Sequence, residues 1–138
     1  MINANEAWNK LQIFSTPHKY ISFLQNTIII GKQSSGLGAI RRVFTKYNYL
    51  DETVIKWEEG SCFTVKLHRN KQAPSPFTSA TFTYLIKSID EYSCELTGIF
   101  NYNIGFGIIG RIINQLFIGT IIRFNIRRVI MGMKAYLS

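Results

Sequence analysis

The chain has 138 residues, 46% of them hydrophobic and 14% aromatic, with 16 Lys and Arg against 8 Asp and Glu. One domain with a packed core follows, and disordered, collagen-like and linker classes are excluded. A formal charge of +8 favours anionic partners: acidic ligands, phospholipid surfaces or nucleic acid. Cys62 and Cys94 make no CxxC metal pair and read as free thiols in a reducing compartment. The polar start, Met1–Lys10, with no apolar h-region after it, points to a cytoplasmic protein.

In chain order, Glu6–Phe14 has helical spacing, with Asn3 or Asn5 as the cap. Ser15-Thr16-Pro17 breaks it, and Pro17 opens a second short helix with Thr16 as its cap. From Thr27 the period becomes that of strands. Six are expected, at Thr27–Gly31, Ala39–Tyr47, Glu52–Glu58, Cys62–His68, Phe77–Lys87 and Cys94–Tyr102. The turns between them are short, which predicts an antiparallel meander. Ser34–Gly38 is turn chemistry, and Gly36 and Gly38 suit positive φ. They do not make a dinucleotide loop, because the third glycine position holds Arg41 and a strand follows. From about Ile108 to Leu137 one long helix is expected, with a break near Gly119. Ile104–Ile122 is long enough to span a bilayer. Its eleven Ile, Leu and Phe, at roughly −0.3 to −0.6 kcal/mol each, are offset by Arg111 at roughly +2.5 to +3.5, so a span is disfavoured.

Two short helices, a run of strands and a long terminal helix make an α+β domain over residues 1–138. A curved sheet needs its concave face covered, and the last helix is the only element large enough. The space between them suits an apolar ligand.

Three segments resemble the SRPBCC superfamily, the START-like or Bet v 1-like helix-grip fold, nearest its small polyketide cyclase/dehydrase and lipid-transport members. Asn5–Leu11 (NEAWNKL) resembles the opening of the family's first helix. Ser35–Arg41 (SGLGAIR) and Asp51–Gly60 (DETVIKWEEG) resemble two of its strands. Gly105–Leu137, with Gly107, Gly110, Arg111, Met133, Lys134 and Tyr136, resembles its final helix. The chain departs from the family at the start. The family has a long strand before the Trp-bearing helix, and here Met1–Glu6 is at most a stub. That implies an open sheet edge and a wider mouth.

Arg41 and Glu52 fall close to opposite one another on adjacent strands, which predicts an ion pair. The resemblance turns Arg41 inward, as a structural pair with Glu52 or as an anchor for a ligand head group. Phe82, Tyr84, Phe100 and Tyr102 read as core that merges with a pocket wall, and Trp57 is placed with them. His18 and His68 have no partners at metal-ligand or triad spacing, so no metal and no cofactor is expected. The basic terminal helix reads as a solvated face or as contact with an anionic membrane, with Phe106, Ile109 and Arg111 at that contact. Nucleic acid is not expected, since no recognition motif occurs. Gly105–Gly110 is read as a strand-to-helix turn or a mobile gate. Three readings remain: binding of a lipid, isoprenoid or polyketide-like molecule; a cyclase/dehydratase in which Arg41 with Tyr84 or Tyr102 polarises a carbonyl; or a structural or interaction protein whose interior is filled by side chains.

Overall fold

The computed structural model describes residues 2–105, 107–113 and 119–137. Helix α1 spans Ala4–Leu11. Asn3 caps it in a capping box with Glu6, and Ala7, Trp8 and Leu11 form its buried face. The second helix expected from the sequence is a single 3-10 turn, Pro17–Lys19. Thr16 does not cap it: its hydroxyl donates back to the Ile13 carbonyl at 2.8 Å. With the next strand starting at Asn26, the chain uses this stretch to bury Tyr20, Ile21 and Leu24 rather than to continue a helix.

Six strands follow: β1 Asn26–Ile30, β2 Ile40–Phe44, β3 Tyr49–Glu58, β4 Cys62–His68, β5 Phe77–Ser88 and β6 Cys94–Ile104. They form one antiparallel sheet in the order β1-β2-β3-β4-β5-β6, the expected meander. β1 and β6 are the two edge strands of the described sheet. Gly36 and Gly38 sit at φ +82° and +87° in the β1–β2 connection, a backbone region that a side chain makes costly.

In the terminal region the described residues form helix α2, Gly107–Ile113, and helix α3, Gly119–Leu137. The break expected near Gly119 adjoins residues 114–118, which lie outside the described residues. Phe106 of the Gly105–Gly110 gate, and Asn114 and Gln115 of the candidate span, lie outside the described residues. Among the described residues no helix is long and apolar enough to cross a membrane. The inner face of α3 carries Ile122, Ile126, Val129, Met133 and Leu137, at helical spacing, against the sheet. Two glycines set how closely it docks. A Cβ on Gly132 would overlap the Tyr20 carbonyl, and one on Gly98 would lie 2.8 Å from Ile130 and 2.9 Å from Phe82. The arrangement is the α+β helix-grip architecture.

Candidate functional site

On the concave face of the sheet, Arg41 and Val43 of β2 and Glu52 and Val54 of β3 point inward with Phe63 and Val65 of β4 and with Ala80, Phe82, Tyr84 and Ile86 of β5. A bulge between Val54 and Lys56 shifts the alternation of β3, so that Trp57 pairs with Phe63 while Ile55 is left exposed. A second bulge, between Phe77 and Ser79, shifts β5 and lets Phe77 share its ring contacts with Phe100 and Tyr102.

A cavity of about 470 Å³ lies between this face and α3. Its sheet wall is Leu67, Phe77, Phe82 and Phe100, and its helix wall is Ile121, Ile122, Asn125, Ile126 and Val129, with Phe23 and Pro76 also lining it. Phe23 and Ile121 are exposed and mark the mouth. Asn125 is the single polar side chain among the described lining residues. The volume falls in the range of drug-sized ligand sites, and the apolar wall with one amide is the make-up such sites have.

Arg41, Glu52 and Tyr84 meet in a buried network. Arg41 is completely shielded from solvent. Its Nε donates to Glu52 Oε2 at 2.5 Å, Nη1 to the Phe14 carbonyl at 3.1 Å and Nη2 to the Tyr84 hydroxyl at 3.2 Å. Its guanidinium lies 4.3 Å from the centre of the Phe14 ring. Burial works against the charged guanidinium, but the Glu52 carboxylate, with Tyr84 and Tyr20, holds its pKa above the ordinary value. Burial likewise raises the pKa of the Tyr84 and Tyr20 hydroxyls, although Arg41 acts in the opposite sense on both. The network is shut off by aromatic rings: Tyr84 lies 4.7 Å from Phe82, centre to centre, and Phe82 is the cavity wall.

Of the residues singled out from sequence, Phe82 and Phe100 meet in the cavity wall, paired across β5 and β6. Tyr102 stacks on that wall, 5.2 Å from Phe100 and 5.3 Å from Phe77. Trp57 lies elsewhere, at the end of the sheet that grips α1. Its ring is 5.1 Å from Trp8 and 5.4 Å from Phe63, and both indole N–H groups donate to Glu59, at 2.8 and 2.9 Å. Those two donors lower the Glu59 pKa. Ile109 and Arg111 are exposed on α2. Sequence reasoning missed the α3 lining, whose signal is the Ile122–Ile126–Val129 spacing, and missed Phe77, which the bulge hides from any count of alternation. Among the described residues there is no cluster of three His, Cys, Asp or Glu able to hold a metal, and both thiols are free.

No protein-family model and no curated protein sequence matches the chain. Solved structures do. The crystal structure of Ara h 8.0201 matches with a TM-score of 0.70 at 11% identity, over 99% of this chain and 90% of that one. A START superfamily protein from Mycobacterium smegmatis matches with a TM-score of 0.69 at 12% identity, over 99% and 92%. The di-domain ARO/CYC StfQ from the steffimycin biosynthetic pathway matches with a TM-score of 0.72 at 12% identity, over 98% of this chain and 46% of that one. At such identities the fold is what is shared: the chain has the SRPBCC-type helix-grip fold.

Proposed function

We propose that the protein binds an apolar or amphipathic small molecule, of the lipid, isoprenoid or polyketide type, in the cavity between the sheet and α3. The observation that carries this reading is the 470 Å³ apolar space walled by Phe77, Phe82, Phe100, Ile122 and Ile126. Each methylene buried there contributes about 0.8 kcal/mol. Asn125 offers the hydrogen bonds that orient a polar end. Arg41, Glu52 and Tyr84 form a rigid backing behind Phe82, and Tyr102 buttresses Phe100. The described lining holds no carboxylate, imidazole or thiol, which supports binding over proton transfer.

The test is native mass spectrometry and thermal shift against fatty acids, isoprenoid alcohols and aromatic polyketides, on the wild type and on Ile126→Trp, which fills the cavity. Binding of at least one class, lost in the folded filled variant, is the expected result. No ligand in any class, or equal binding by Ile126→Trp, overturns the reading.

A further inference from the structure

α3 has a second face, turned away from the sheet, that combines cations with large exposed apolar side chains. After Glu95 the sequence contains five cations, Arg111, Arg123, Arg127, Arg128 and Lys134, and no acidic residue. Three of these arginines, Arg123, Arg127 and Arg128, are exposed on α3. Between them on the outward half of the helix stand Phe124, 62% exposed, and Met131, 67% exposed, with Ile121, 59% exposed, just beyond Arg128. Successive residues of a helix are turned by about 100°. Arg123 and Arg127 therefore flank Phe124 and Met131 on one side, and Arg128 flanks them on the other. Arg128 is anchored, donating to Ser22 Oγ at 2.8 Å and lying 5.9 Å from the Phe124 ring centre. α2 has the same make-up, with Ile109 and Ile112 exposed beside Arg111.

We infer that the outward face of α3 is a docking surface for an anionic lipid bilayer, with Phe124 and Met131 inserted among the acyl chains and Arg123, Arg127 and Arg128 at the phosphate level. Charge complementarity selects the partner: a strip with cations on both sides and no carboxylate attracts a surface dense in phosphate. The apolar ridge selects among phosphate-bearing partners, because a bilayer takes up Phe124 and Met131 directly, whereas nucleic acid admits such side chains only by unstacking its bases. Ile121 belongs both to this face and to the mouth of the cavity, so docking sets the mouth against the membrane surface. The surface is independent of the ligand reading, and its failure is separable from that of the cavity.

Co-sedimentation with vesicles of phosphatidylcholine containing 30% phosphatidylglycerol, compared with pure phosphatidylcholine, tests the inference. The wild type binds the anionic vesicles, and binding weakens as salt rises. Arg123→Gln with Arg127→Gln lowers the partition coefficient by roughly 25-fold, about fivefold per charge. Phe124→Ser with Met131→Ser lowers it several-fold with all charges kept, and Ile126→Trp, which closes the cavity, leaves it unchanged. Circular dichroism checks that each variant is folded. Absence of binding to anionic vesicles overturns the inference. So does unchanged binding by Phe124→Ser/Met131→Ser together with full competition by duplex DNA, which assigns the face to polyanions in general.

Discussion

Arg41 and Glu52 stand in register across β2 and β3, both buried, with Nε and Oε2 2.5 Å apart. Removing one partner strands the other charge in the core. Arg41→Ala is expected to cost about 3–5 kcal/mol of folding stability. The double change Arg41→Met with Glu52→Leu is expected to cost less than either single truncation, because no charge remains to be desolvated. Urea unfolding of Arg41→Ala, Glu52→Ala and the double variant measures this. Additive losses in the double variant refute it.

Stability is expected to fall in alkali. Tyr84 and Tyr20 hold their protons more tightly folded than unfolded, chiefly because burial penalises phenolate. Below the unfolded value of 10.0 the native state keeps this advantage in full. As pH rises past it, the unfolded chain releases protons that the native state retains, and stability drops by up to roughly 1.4 kcal/mol per pH unit for each tyrosine. The loss continues up to the raised folded values. Denaturation midpoints between pH 8 and 11.5 should show the decline, and Tyr84→Phe should flatten it. An equal slope in that variant contradicts the assignment.

Gly132→Ala is expected to destabilise, although alanine is the better helix former by about 1 kcal/mol. The added methyl meets the Tyr20 backbone carbonyl, which cannot rotate away as a side chain would. Overpacking of this kind costs about 1–3 kcal/mol beyond the propensity gain. A rise in melting temperature would show that α3 does not dock as described.

Glu59→Ala is expected to shift tryptophan emission to longer wavelength. The carboxylate ties Trp8 of α1 to Trp57 of β3, and without it the two indoles lose their common acceptor and Trp57 opens to solvent. Glu59→Gln, which keeps one acceptor oxygen, should move emission less. Identical spectra for wild type and Glu59→Ala refute the clamp.

Regular alternation is what made the sheet readable. β4 runs from Cys62 to His68 as the pattern predicts, because Phe63, Val65 and Leu67 keep a period of two and Gly60 bounds the turn before it. The opposition of Arg41 and Glu52 is legible for the same reason: both lie on the regular side of the β3 bulge. Past a bulge the period carries the wrong phase, which is why alternation along β5 does not find Phe77. The cavity's helical wall was readable as apolar spacing, but which strand it faces depends on close approach at Gly98 and Gly132, a relation between residues far apart in the chain.

The consecutive strand order has a consequence for how the protein comes to be. Each strand pairs with the one synthesised just before it, so the sheet can grow hairpin by hairpin through contacts that close short loops. α3 is made after all of them, and the cavity exists only once it has settled. Until that moment Phe82 and Phe100 face water, and any molecule that covers them supplies part of what α3 will later supply. Under the proposed reading, ligand binding and the closing step of folding draw on the same apolar surface. A ligand held only by the finished structure adds its binding free energy to the stability of the whole chain.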